Sequence, residues 1–264
     1  MVYEFVDCIS RVNYHQDGNI NAFTDMVSLA GAGLDGGELF SVNGGNDRMI
    51  QAILTDKANV DIRLNQAVTS VTNLALTING PQKYEVLTTN GQRDTFDIVV
   101  VACPLDLANI DLPNYELKMD REYQTVHANF IAGEIDYRYF NNVENNPQTI
   151  FTIENEAIPF VSIAKTSFAT DWDLPIYKVF SRQALADTFF NQTFKNRKGK
   201  IHQEWKAYTV LSPMKEWPPF KIDDGLFYIN AMESAVSAME TEAIAARNIA
   251  NLTLDFMKGR VLKN

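Results

Sequence analysis

The stretch from Gly225 to Met257, GLFYINAMESAVSAMETEAIAARNIANLTLDFM, constrains the fold more than any other, because two different hydrophobic periods meet inside it. Leu226 to Asn230 alternate and carry β-formers, which predicts a short strand; from about Ser237 onward the composition is helical. A strand therefore feeds a helix. Ser237 followed three residues later by Glu240 has capping-box spacing, and Glu240 and Glu242 add negative charge to the first turn. Met239, Ala243, Ala246 and Ala250 recur on one face, a stripe that admits a close backbone or a flat ligand. Gly259, between Lys258 and Arg260, is the expected stop. A helix N-terminus suits a flat or anionic group that gains negative charge. The plainer reading, an amphipathic helix packed on a sheet, fits the pattern better when pattern is all there is.

Composition narrows the function classes. With 264 residues, 46% hydrophobic and 21% charged, the chain can bury a sizeable core as one large domain or two interleaved ones. A net charge of −10 argues against a nucleic-acid or anionic-membrane surface, and no apolar run approaches the ~18 residues of a membrane span. The basic run Lys195 to Lys200 reads as a solvated loop. Two cysteines, Cys8 and Cys103, are too few for a disulfide framework, and with His15, His127 and His202 they form no metal or nucleophile constellation by spacing, so no metal is expected. Sequons at Asn191 and Asn251 permit a secretory route, whereas the start, MVYEFVDC, is not a signal peptide. The expectation is a cytosolic chain or one whose true N-terminus lies upstream.

Along the chain, a short helix precedes RVNYHQ, a turn at Asp17 and Gly18, and a glycine-rich passage. Gly31, Gly33 and Gly36 match GxGxxG by letter, but a strand or loop follows where the dinucleotide fingerprint needs a helix, so the match is read as a decoy. Asn46 can cap a helix carrying Met49, Ile50, Ile53 and Leu54. Strands are expected over 59–64, 67–78 and 83–89, then a hairpin at Asn90 and Gly91 and a return strand, Thr95 to Pro104, apolar enough at its end to be buried on both faces. Between Leu105 and Pro219 longer aromatic strands, with a helix over Arg182 to Phe190, predict an antiparallel sheet. The fold class is α/β (α+β).

Four blocks together resemble the prenylcysteine oxidase (prenylcysteine lyase) family: Arg11 to Phe23 with Ser41 to Asn46, Tyr84 to Pro104, Trp205 to Tyr208, and the SAMETEAIAARN segment of the strand–helix stretch. The resemblance spreads over nearly the whole chain. It implies part of an FAD-dependent, amine-oxidase-like (glutathione-reductase-type) flavoprotein fold, with residues 46–104 and 220–264 belonging to the FAD-binding domain and 1–45 and 105–219 to a prenyl-binding substrate domain. The family opens with a signal peptide and a βαβ unit bearing GxGxxG; neither is in this chain, so the expectation is a C-terminal portion.

The implied reaction is oxidative cleavage of a prenylcysteine thioether, with dioxygen as acceptor, in a lysosomal or secretory compartment, without nucleic acid or a transmembrane span. By position the resemblance assigns cofactor contact to Val68, Cys103, Pro104, Ala231, Met239 and Glu240. It assigns the prenyl group to Phe130, Phe160 and Tyr177, and the polar cysteine end to Arg11, Asn13 and Tyr14. No acid–base residue is implied, since the cofactor carries the hard step. Plainer roles stand beside each assignment: strand core for Val68 and Cys103, capping for Glu240, sheet core for the aromatics, a pinned loop for Arg11 to Tyr14. A non-catalytic lipid-binding fragment or pseudo-enzyme without flavin is the alternative from another class, and an amine-oxidase-like flavoenzyme acting on an amine a further one.

Overall fold

The computed structural model describes residues 2–31, 40–55, 60–78, 82–119, 121–141 and 147–261. In chain order these hold α1 (Val2–Tyr14), α2 (Ala22–Gly31), α3 (Asp47–Thr55), β1 (Val68–Asn73), α4 (Leu74–Ile78), β2 (Tyr84–Thr88), β3 (Arg93–Phe96), β4 (Val99–Val101), α5 (Leu105–Ala108), β5 (Tyr123–Ile135), β6 (Thr149–Phe151), β7 (Ser162–Ala169), β8 (Leu174–Ser181), α6 (Asp187–Thr193), β9 (Phe194–Thr209), β10 (Lys221–Asp223), β11 (Leu226–Tyr228) and α7 (Met239–Val261), with 3-10 turns at Tyr137–Phe140 and Ile229–Ser234. The class is the mixed α/β one expected. Two compact units share the chain: Met1–Ala32, Arg121–Lys215 and Glu233–Ser237 form one, and Gly33–Asp120, Glu216–Met232 and Ala238–Asn264 the other. The boundaries drawn from sequence stand elsewhere, at 45/46, 104/105 and 219/220.

The first unit is built on an antiparallel five-stranded sheet in the order β6-β7-β8-β5-β9. Ile131 of β5 lies opposite Tyr177 of β8, and Ile163 of β7 opposite Val179, which gives one face an apolar stretch. Phe189 and Phe190 of α6, together with Phe160 and Phe194, close that face into the unit's core. The helix expected over Arg182 to Phe190 starts later, at Asp187. The basic run at Lys195 to Lys200 is not a loop but the first part of β9. β9 is the sheet's edge, where charged side chains discourage pairing with other chains, so its polar composition hid a strand. Nearby, the Asn21 side chain accepts from the Thr24 N–H at 3.0 Å and caps α2.

The second unit holds two three-stranded sheets, β1-β2-β3 and β10-β11-β4. The Asn90–Gly91 hairpin forms between β2 and β3, with Gly91 at φ +83°. The expected single return strand is instead two strands in different sheets, parted near Asp97. β4 is not buried on both faces, for Val101 is buried and Val100 exposed. Residues 60–63 form no strand, and the second half of the 67–78 stretch is α4. α3 forms as expected, but the Asn46 side chain accepts from Val42 N–H and closes the preceding turn.

β11 runs parallel to β4 with Phe227 opposite Val100, so the two most apolar strands of this unit pair across more than a hundred residues of sequence. Gly225 begins β11 at φ +88°, where an added Cβ would meet the Asp97 carbonyl oxygen at 2.8 Å and the Phe256 and Tyr84 rings at 3.2 Å. Two features of α7 differ from the sequence reading. It starts at Met239, the Ala238 carbonyl accepting from Glu242 N–H at 3.0 Å, so the residue in capping position is Ala238 and Ser237 falls one place early. It also runs past Gly259 to Val261. Thr241, Ala245 and Ile249 form its buried side, while the Met239, Ala243, Ala246 and Ala250 stripe is exposed.

Candidate functional site

In the second unit the residues expected at the cofactor separate into two groups. Cys103 and Pro104 follow the carboxyl end of β4, and Ala231 follows the carboxyl end of its parallel neighbour β11. Ligands of open α/β sheets sit outside the carboxyl ends of parallel strands, because the loops there leave a crevice and present free backbone N–H groups. The buried Ala231 belongs to the core cluster of Val101, Leu226 and Tyr228, with Val68 and Cys103 packed against it partly exposed. Pro104 precedes α5, and the Tyr228 hydroxyl accepts from Leu105 N–H at 3.4 Å, tying the two strand ends together. A cleft of about 390 Å³ opens beside them, lined by Leu105, Asp106, Ile110, Leu112, Tyr115 and Met119 among others. Met239 and Glu240 are not part of this group; both are exposed in the first turn of α7. The glycine-rich match at residues 31–36 lies, apart from Gly31, outside the described residues.

In the first unit the aromatics expected at the prenyl group divide between the two faces of the sheet. Phe160 and Tyr177 lie in the closed core under α6. Burial of the Tyr177 hydroxyl, with the nearby Tyr137, pushes its pKa up to about 12. Phe130 is half-buried on the opposite face, paired with Lys178 and Ile201 on its two neighbouring strands. Phe180, one pair further along β8, extends that face, with the Lys178 ammonium 4.4 Å above its ring. This face mixes apolar side chains with Lys178 and is partly open, with Ile201 and Trp205 exposed on β9.

The polar candidates are engaged inside the same unit. Asn13 donates to the Ser28 hydroxyl at 2.9 Å and joins α1 to α2. Tyr14 is buried edge-on to Tyr208, and burial raises its pKa to about 12. Arg11 is buried and paired with Glu154, which also holds Arg182 at 2.8 Å. Sequence reasoning missed Glu154 and Arg182. Both line a cleft of about 520 Å³ with Gln16, Asp17, Gln124 and Ser212, so Arg11 bears on that cleft through the carboxylate it shares. Neither Glu154 nor Arg182 sits in a motif; only the fold joins α1 to the ends of β6 and β8.

The sequence matches the prenylcysteine lyase family over residues 1–263. The chain belongs to that family. It is 35% identical over 259 residues to a protein named farnesylcysteine lyase from Arabidopsis thaliana, covering 96% of this chain and 49% of that one. It is 31% identical over 269 residues to prenylcysteine oxidase 1 from Bos taurus, covering 94% of this chain and 52% of that one. The chain thus spans about half the length of the curated relatives it matches. Among solved structures it resembles a redesigned putrescine oxidase, with a TM-score of 0.52 at 11% identity over 80% of this chain and 53% of that one, which shows a shared fold. No helix among the described residues is long and apolar enough to cross a membrane.

Proposed function

We propose that the protein acts in FAD-dependent oxidative cleavage of prenylcysteines, with farnesyl or geranylgeranyl cysteine as substrate. The observation that carries this reading is membership of the prenylcysteine lyase family along the whole chain, and the names of the relatives favour it over a lipid carrier without flavin. The balanced reaction is prenylcysteine plus dioxygen plus water to prenyl aldehyde, cysteine and hydrogen peroxide. The prenyl carbon attached to sulfur is oxidised by two electrons, the C–S bond breaks, and dioxygen is reduced to peroxide.

What supports a flavin at the carboxyl ends of β4 and β11 is the half-buried Cys103 thiol after β4 and the cleft that opens beside α5. Cys103, Pro104 and Ala231 would hold the group through backbone and van der Waals contact. When bound, it supplies two-electron oxidation and reoxidation by dioxygen. The residues of the first unit supply binding and orientation. Isoprenoid carbons gain roughly 25 cal/mol per Å² on leaving water for the Phe130–Phe180 face, and burial there keeps solvent from the chain. Glu154 and Arg182, at the polar cleft, offer a carboxylate and a guanidinium matched to the ammonium and carboxylate of the cysteine end.

A lysosomal or secretory location belongs to the same reading. It is supported by sequons whose Asn191 and Asn251 are both exposed on helices. Incubating the protein with FAD and farnesylcysteine in air is expected to yield farnesal and hydrogen peroxide in equal amounts, and glycosidase treatment of the native protein is expected to increase its gel mobility. Farnesylcysteine left intact would refute the activity, and unchanged mobility would remove the support the sequons give to the location.

A further inference from the structure

The fold assembles a group of side chains that their spacing in the sequence did not reveal. β5 and β9 pair with His127 directly opposite Glu204 and Asn129 directly opposite His202. Residues two apart on a strand share a face, so His127, His202 and Glu204 converge on one side of the sheet. His127 Nδ1 lies 3.1 Å from His202 Nε2 and 3.6 Å from a Glu204 carboxylate oxygen. Three candidate ligand atoms, one from each residue, all fall within 4.8 Å of one another. The imidazole rings are nearly parallel, 11° apart with centroids at 5.4 Å.

We propose that His127, His202 and Glu204 bind one divalent transition-metal ion, with zinc the best fit. Ligands about 2.0–2.1 Å from a tetrahedral zinc are separated from each other by about 3.3 Å, and the 3.1 and 3.6 Å separations straddle that value. A hydrogen bond between the imidazoles accounts for the first distance, whereas the second, 3.6 Å, is beyond hydrogen-bond reach and is an ion-pair contact of His127 with Glu204. A central cation accounts for both. Two imidazoles with a carboxylate favour zinc, copper or nickel over magnesium or calcium, which prefer all-oxygen sets.

Access and surroundings agree with this assignment. His127 is buried, so its ring is held before any ion arrives, while His202 and Glu204 are exposed and leave a path from solvent. Three protein ligands leave a fourth position for water. On the same face, directly opposite His202, the buried Asn129 has an amide nitrogen with no hydrogen-bond partner, and a metal-bound water offers the acceptor that this donor lacks. The ion would pin the edge strand β9 to its neighbour β5.

The test is isothermal titration calorimetry of the tag-free protein with zinc chloride after dialysis against a chelator, beside His202→Gln and Glu204→Gln. Both substitutions are at exposed positions, and thermal melts of the zinc-free variants check that the fold is retained. One saturable site is expected, weakened about tenfold or more in each variant, since even outer-shell partners of metal sites are commonly worth about tenfold. Zinc should also raise the melting temperature of the wild type and not of the variants. Absence of saturable binding, or wild-type affinity in either variant, would overturn the proposal. Neither readout involves flavin or prenylcysteine, so it stands or falls apart from the proposed reaction.

Discussion

His15 ends α1 in a left-handed conformation at φ 56°, fully buried, with its ring edge-on to Phe180 at 5.0 Å and both ring nitrogens without a hydrogen-bond partner. Burial, reinforced by the cations Arg182, Arg11 and Lys178, drives its pKa down to about 3. The unfolded chain takes up this proton near the ordinary value of about 6.5, whereas the native protein resists it until about 3. Acid therefore favours the unfolded chain, and stability present above about 6.5 is lost as pH falls toward 3. At pH 5 the cost is on the order of 2 kcal/mol. His15→Asn, which tolerates the left-handed backbone, is expected to remove that part of the loss when urea denaturation is compared at pH 7 and pH 5. An equal loss in both proteins would place the acid sensitivity elsewhere. In the sequence His15 was one histidine among three. Its burial comes from tertiary packing of β8 and β9 against α1, which no local pattern encodes.

At the level of elements, the sequence was most legible where hydrophobic period and turn chemistry agreed. β5, β7 and β8 read as strands from alternation and aromatic content, and Asn90–Gly91 marked its hairpin. It was least legible where composition served another purpose. β9 carries edge-strand charge, so six of its 16 residues, Lys195 to Lys200, passed for a loop, and with no strand read over the residues that follow, the His202 to Glu204 spacing, which on a strand puts both side chains on one face, had no meaning. The helix start slipped by one residue because Ser237 offered the better cap while packing began the helix after Ala238. Gly225 is where the strand–helix stretch is most exacting, since φ +88° and the Asp97 carbonyl at 2.8 Å both exclude a side chain. Gly225→Ala is expected to destabilise the protein by roughly 2–3 kcal/mol in denaturant melts. A melt unchanged from wild type would mean that the β4–β11 pairing does not depend on this close approach.

For the whole molecule, the two units divide the candidate residues along chemical lines: the expected Cys103, Pro104 and Ala231 at the carboxyl ends of parallel strands in one, the expected Phe130 and the Glu154–Arg182 pair that only the fold revealed in the other. The fold class and the β4–β11 pairing could be anticipated, because buried apolar strands need partners. The distribution of Phe130, Phe160 and Tyr177 over two faces could not, since an aromatic in a strand looks alike in sequence whether it faces a core or a ligand. In the proposed reaction electrons leave the prenyl carbon for a flavin held by the protein. Anaerobic mixing of the FAD-loaded protein with farnesylcysteine tests it most directly. The proposed reaction predicts that the yellow flavin colour bleaches as one farnesal forms per flavin, and that air restores the colour with one equivalent of hydrogen peroxide; farnesylcysteine cleaved while the colour stays unchanged would contradict it.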